Sequence, residues 1–297
     1  WSSDVCSSDL DGALAMAGFF SRLRIVARSP AAVLVSAAWL IACVGLVSAT
    51  PFLSLPDSND IDLIARLRPP IGFGGGWDHA LGTDDLGRDV LARLIVSLRT
   101  SLVLALGATI VSAVIGTTLG IAAAHFGSWF DELIVAAVDA QASLPFIIIT
   151  LTLTAFFGTN LVMFLLILSI FGWERFARLS RAMTLASRGR GYVLALQTLA
   201  FSWPRIYLRH VLPNVASALL VTATINFPET ILLETSLSFL GLGIQPPMSS
   251  LGNMLGFGRN YILTAWWISV MPGLAIFFCT LAVSIIGDWA RSVIGRL

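Results

Sequence analysis

The sequence predicts an all-α fold: a polytopic membrane helix bundle with six transmembrane helices and both termini on the cytoplasmic side. Three observations carry this. Only 12% of the 297 residues are charged and 57% are hydrophobic, whereas soluble domains carry about 25% charged residues; mean hydropathy is +0.86. The apolar residues gather in stretches that match the length of a bilayer crossing, about 20 residues for about 30 Å of hydrocarbon. The basic residues, all 18 of them Arg, concentrate in segments that share one side if six spans alternate.

The first span is read at 31–49, stopped by Pro51, and is long enough for a retained anchor. The second is 101–124 and the third 133–157, with Pro145 as a kink site. The fourth, 161–173, is the shortest and borrows turns from 174–179 or thins the bilayer locally. The fifth is 215–233 and the sixth 265–289. Arg22, Arg24 and Arg28 precede the first span. Arg175, Arg178, Arg181, Arg188, Arg190, Arg205 and Arg209 fill segment 174–213, and Arg291 and Arg296 end the chain. The positive-inside rule makes that side cytoplasmic. The opposite side receives the acid-rich 51–100 and the segment 234–264.

The chain divides into four parts on this reading. Residues 1–10 read as a sequencing-adapter artefact, because one choice of codons for them spells a common adapter; finding those codons in the genome on resequencing would refute this. Residues 11–60 form an N-terminal cytoplasmic segment and the anchoring span. Residues 61–100 form an extracytoplasmic loop and the helix that leads back into the membrane, and 101–297 the core of the bundle with its cytoplasmic loop 174–213. The net charge of +1 argues against a nucleic-acid partner. Lys is absent, so the chain lacks the lysine of a P-loop and no ATP-hydrolysing site of that kind fits. Cys6, Cys43 and Cys279, and His79, His125 and His210, are scattered, so no metal site and no catalytic residues are expected.

Loop 174–213 is too long for a turn and too polar to span. Tyr192, Ala195, Leu196 and Leu199 recur at helical spacing, and Trp203-Pro204 then Leu212-Pro213 break the pattern. Two short helices with an apolar face follow, either docked on a partner or lying on the membrane surface. In Gly82-Thr-Asp-Asp-Leu-Gly-Arg-Asp89, Thr83 or Asp84 is placed to cap a helix starting near Asp85 and running through Arg88 and Arg93. That reads as the cap of the second span or as a contact for an extracytoplasmic partner.

Asp139, Asn226 and Glu229 within spans, and Glu234 just past the fifth, are the candidates for a translocation path or gate. Each acid would cost about 2.5–3.5 kcal/mol facing lipid at mid-bilayer. Asp139 reads as a partner for a loop arginine. Glu229 reads as lining a translocation path, with Asn226 and Pro228 loosening the helix beside it. Gly116-Thr-Thr-Leu-Gly120 is a small-xxx-small motif, read as packing within the chain.

Three of these stretches carry a resemblance. Tyr192-Val-Leu-Ala-Leu-Gln-Thr-Leu-Ala-Phe-Ser202 with Arg209-His-Val-Leu-Pro-Asn214 resembles the cytoplasmic docking motif of ABC importer permeases. The Gly82–Asp89 stretch, and Ser236-Leu-Ser-Phe-Leu-Gly-Leu-Gly-Ile-Gln-Pro-Pro247 with Gly252-Asn-Met254, narrow it to the dipeptide/oligopeptide/nickel permease family, in the subunit type with the Gly-Thr-Asp motif. The resemblance implies a bacterial inner-membrane permease subunit of an ATP-driven, binding-protein-dependent importer for peptides or similar small solutes. Its partners would be a second homologous permease, two cytoplasmic ATPases, an extracytoplasmic solute-binding protein and the lipid bilayer. No cofactor is expected in this chain, ATP and Mg being bound by the ATPases.

The resemblance also implies that Arg188, Arg190, Tyr192, Ala195, Leu196, Leu199, Ala200, Arg205, Arg209 and Pro213 dock the ATPase. Gly82, Thr83, Asp84, Gly87, Arg88 and Asp89 would form the extracytoplasmic motif. The docking motif departs from the family pattern, which opens Glu-Ala-Ala with a Gly four residues after the second Ala. Here those positions hold Leu194-Ala195-Leu196 and Ala200, and the acids common upstream are Gly189 and Gly191. A more acidic ATPase groove would match this helix. The competing readings are a stand-alone secondary transporter or channel, and a non-coupling structural subunit.

Overall fold

The computed structural model describes residues 29–50, 57–199 and 201–294. The adapter-like start, Arg22, Arg24, Arg28, Ala200 and Arg296 lie outside the described residues, as does the side chain of Tyr192. Among the described residues the regular structure is helical, with two isolated β-bridges and no strand.

Helix α1 (Pro30–Ala49) starts with Pro in its first turn, where the missing N–H costs nothing, and Ser29 Oγ accepts from Ala32 N at 3.2 Å. Helix α2 (Val90–Phe126) is 37 residues long and rises about 55 Å, well beyond the hydrocarbon thickness. It contains the expected span 101–124 and begins at Val90, five residues after the helix start expected near Asp85.

The expected cap is corrected. The helix starts at Val90, and Asp89 caps it by accepting from Ala92 N at 2.8 Å. Residues 83–89 instead close a tight loop bridged Thr83 to Asp89, with Gly87 at φ +76°. A side chain at Gly87 would collide with the Asp62 carbonyl oxygen at 1.7 Å.

The third expected span is two helices, α3 (Ser128–Ser143) and α4 (Phe146–Phe157), bent by 97°. Pro145 donates no hydrogen bond, and Leu144 before it is extended at φ −97°, ψ 135°. Helix α5 (Leu161–Arg188) is capped by Asn160 and runs 28 residues, carrying the fourth span straight into the arginine-rich segment.

After α5 come α6 (Gly191–Thr198) and α7 (Trp203–Ile206). A π turn at Tyr207–Val211 leads into α8 (Leu212–Phe239), which stays helical through Pro228. Helix α9 (Leu251–Gly258) has no counterpart in the expected elements, and α10 (Trp267–Ile294) ends the described chain. Four stretches are long and apolar enough to cross a membrane: α1, α2, Trp203–Phe239 and α10; the bent α3–α4 pair makes five. Helix α5 is long enough, but from its midpoint on it holds Glu174, Arg175, Arg178, Arg181 and Arg188.

The central seam joins α2 to α5. A Cβ at Gly116 would lie 2.2 Å from the Trp173 carbonyl oxygen, and one at Gly120 would lie 2.4 Å from that of Ala177. Both halves of the small-xxx-small motif therefore serve backbone approach within this chain. Helices α8, α9 and α10 pack on the other side of α2, where Leu98, Ala105, Ile231, Leu251 and Ile276 form one buried cluster. Cys43 and Cys279 are free thiols in the same cluster, joining α1 to α10. Ser29 and Ile285 line one cavity, so the start of α1 and the late turns of α10 share an end of the bundle.

Candidate functional site

At the end where α2 and α5 finish, α6 and α7 fold back over the bundle. Val193 and Ile206 are buried with Tyr207, Val211 and Val215, and Leu196 packs on that cluster. The stripe read from sequence is thus split. Leu196 faces the bundle, while Ala195 and Leu199 face outward beside exposed Arg190, Arg205 and Arg209. Val193 is the inward anchor that sequence reading missed, although its spacing of three from Leu196 marks it.

Arg188 is a tether rather than a free cation. Its guanidinium donates to the Ala124 carbonyl oxygen at the end of α2 and lies 5.6 Å from the Trp203 ring. His125 Nδ1 meets the Tyr207 hydroxyl at 3.1 Å, and Trp203 stacks on Tyr207 at 5.5 Å. Arg205 lies over Phe201 at 5.6 Å, and Pro213 sits in the first turn of α8.

Below this loop the arginines of α5 make a ring of ion pairs. Arg181 pairs with Asp131, and Arg178 reaches Asp139 at 3.4 Å and Glu174 at 3.9 Å. Arg175 pairs with Glu229 of α8. Gln141 joins α3 to α5 as well, accepting from Trp173 Nε1 at 2.6 Å and donating to the Ile170 carbonyl oxygen at 2.6 Å. Asp139 therefore pairs with α5 through Arg178, and Glu229 through Arg175 one turn earlier.

Glu229 instead borders a groove of about 420 Å³ between α8 and α10, with Thr224, Pro228, Ser284, Asp288 and Arg291. Asn226 does not line it. Asn226 is fully buried between α2, α5 and α8, against Gly172 and Ser112, and its Nδ2 reaches Thr230 Oγ1 at 3.5 Å. Asp288 and Arg291 were not singled out as site residues; their spacing of three late in the last span was the available signal.

Glu234 lies in a third place. It is wholly buried, and its carboxylate accepts from Ser101 Oγ at 3.1 Å and from Ser238 Oγ at 2.8 Å. Ser101 Oγ in turn accepts from Leu251 N at 3.1 Å, so this cluster ties α2, α8 and the start of α9 together. Glycine lets α9 come so close: a Cβ at Gly252 would lie 2.7 Å from Thr235 Cα.

At the acid-rich end, the Gly82–Asp89 motif folds into a buried knot. Asp84, 1% exposed, accepts from Leu86 N at 2.8 Å, Arg88 N at 3.0 Å and Arg88 Nε at 2.8 Å, and pairs with Arg93. Thr83 Oγ1 accepts from Arg68 N at 2.8 Å and donates to the Ala65 carbonyl oxygen. Trp267 Nε1 donates to the Thr83 carbonyl oxygen at 3.0 Å, joining the knot to α10. Gly82, at φ +80°, leaves no room for a side chain beside the Arg68 carbonyl oxygen. His79 Nδ1 sits 2.9 Å from Asp89.

Comparison with known proteins places this architecture. The family described as "Binding-protein-dependent transport system inner membrane component" matches residues 116–296. A Brucella suis protein named as a peptide transport system permease is 37% identical over 244 residues, covering 82% of this chain and 80% of that one. The di/tripeptide transport system permease protein DppC of Pseudomonas aeruginosa is 36% identical over 229 residues, covering 77% and 76%. The family match takes in the α2–α5 seam, the α6–α7 segment and the α8–α10 groove, and the chain belongs to the binding-protein-dependent transport system inner membrane components, as an ABC importer permease.

Proposed function

We propose that the chain is one of two permease subunits through which an ATP-driven importer passes peptides or similar small solutes across a bacterial inner membrane. In this reading there are six spans, α3 with α4 forming one and the first half of α5 another. Both termini and residues 174–213 are cytoplasmic. The partners are a second homologous permease, two ATPases that bind ATP and Mg²⁺, and an extracytoplasmic solute-binding protein. The chain does no bond-making chemistry itself. Peptide cargo is supported by the names of its relatives.

One observation carries the coupling role. Helices α6 and α7 are pinned to the bundle by Val193, Ile206 and Arg188, yet Ala195, Leu199, Arg190, Arg205 and Arg209 face away from it. A small cationic face held rigidly at the membrane's edge suits an acidic groove on an ATPase, which would pull on α2 and α5 as it closes.

The test is Arg190→Glu in the complete transporter in proteoliposomes. ATPase stimulation and solute uptake should both fall while the complex still co-purifies. An unchanged rate rejects the docking role of this face. A wild-type chain that co-purifies with no ATPase rejects the importer reading itself.

A further inference from the structure

The groove between α8 and α10 is unusual for its charge. Glu229 lies ten residues before the end of α8 at Phe239 and 17 after its start at Leu212, about 15 Å and 25 Å along the helix axis. That places it inside the membrane-crossing part of α8. Its side chain is 39% exposed, and that of its partner Arg175 is 36% exposed. Across the groove Asp288 and Arg291 are 53% and 54% exposed and lie 3.9 Å apart.

Charged groups at this level do not face lipid without cost. The Glu229 carboxylate and the Asp288–Arg291 pair line one cavity, and Arg175 reaches Glu229 from outside that lining. The helices are held close at the groove's arginine-rich end, where a Cβ at Gly287 would lie 2.6 Å from Thr224 Oγ1. The hydroxyls of Thr224 and Ser284 donate to the carbonyl oxygens of Val221 and Thr280 of their own helices. Their oxygens keep lone pairs for a ligand.

We infer that this groove is a binding subsite for a zwitterion, taking the ammonium group of a short peptide at Glu229 and Asp288 and its terminal carboxylate at Arg291. Arg175 positions Glu229 from behind. The volume of about 420 Å³ falls in the range of small-molecule sites, and the lining carries both signs, the acids Glu229 and Asp288 and the cation Arg291, which suits a molecule carrying both. The inference rests on the importer reading and names the chemistry of its cargo. An ethanolamine phospholipid headgroup presents the same pairing of ammonium and oxyanion, so the experiment must separate peptide from lipid.

The test uses Ser284→Cys added to a Cys6→Ser chain in the complete transporter without ATP, with the Cys6→Ser chain alone, whose remaining Cys43 and Cys279 are buried, as the labelling blank. Dialanine should slow maleimide labelling of Cys at 284, about tenfold once it is present at about ten times its dissociation constant. N-acetyl-dialanine amide, which has neither charge, should not. Adding Glu229→Gln should abolish the protection; if that variant fails to co-purify with its ATPase, Asp288→Asn takes its place. Equal protection by both compounds, or none, overturns the inference. Labelling that responds to replacing phosphatidylethanolamine with phosphatidylcholine, and not to dialanine, assigns the groove to a lipid headgroup and also overturns it. ATP-driven uptake by wild type, measured in the same vesicles, reports separately on the importer reading.

Discussion

Replacing Gly116 by Ala should separate two helices that the fold holds in backbone contact. The added Cβ would stand 2.2 Å from the Trp173 carbonyl oxygen and 2.7 Å from Phe176 Cβ. Ordinary contact starts at 3.4 Å, so α2 and α5 must part by about 1 Å, enough to forfeit a quarter to a half of the dispersion energy across the seam. The nearest atom it meets is backbone, not a side chain that can rotate away. Overpacking of this kind costs about 1–3 kcal/mol, and the rigidity of the clash puts the expected loss near the top, about 3 kcal/mol. Gly45 is the matched control, because nothing lies within 4 Å of its Cβ position; there Ala should be neutral or gain up to about 1 kcal/mol of helix propensity. Reversible denaturation in bicelles would read both. If Gly116→Ala costs no more than Gly45→Ala, the seam is not close-packed and the account of α2 and α5 fails.

Asp84→Asn should cost about 3–5 kcal/mol, since it leaves the buried Arg93 without its carboxylate; thermal unfolding in detergent would show it, and a loss under 1 kcal/mol would reject the knot. Gly172→Ala should be strongly destabilising alone, its Cβ meeting the Asn226 amide at 2.7 Å. Asn226→Ala should relieve much of that, with a coupling energy of about 0.5–3 kcal/mol in a double-mutant cycle; strict additivity would mean the two do not touch. Arg188→Ala should loosen the α6–α7 loop without moving the rest. Amide exchange should rise at 191–198 and not in α2, and unchanged protection would deny the Ala124 tether.

The crossing helices were legible because each is a long apolar run whose limits are punctuated by proline, glycine or charge. The start of α2 reads five residues early from sequence, near Asp85, because Thr83 and Asp84 both look like caps, whereas Asp89 is the cap. Only the fold shows Asp84 neutralising Arg93 from nine residues upstream. Helix α9 escaped notice for another reason: Gly252, Gly256 and Gly258 give it poor intrinsic propensity, and it forms because the first two let it settle on α8 and the third on α10. The polar residues within spans could be named from sequence but not grouped. Asp139, Asn226, Glu229 and Glu234 proved to sit in four different environments, because their partners Arg178, Gly172, Arg175 and Ser101 are 39, 54, 54 and 133 residues away. Such pairings are set by helix packing and leave no local trace.

Helix α2 has a mechanical consequence. It runs unbroken from the His79–Asp89 pair to the Ala124 carbonyl held by Arg188, and it contains no proline, whereas α8 and α10 carry Pro228 and Pro272 within their length. A strut of that kind hands displacement from one end to the other, and any flexing falls to its proline-bearing neighbours. Spin labels at Arg99 and Phe126 should then keep one separation through the ATPase cycle, while a pair spanning Pro228 should not.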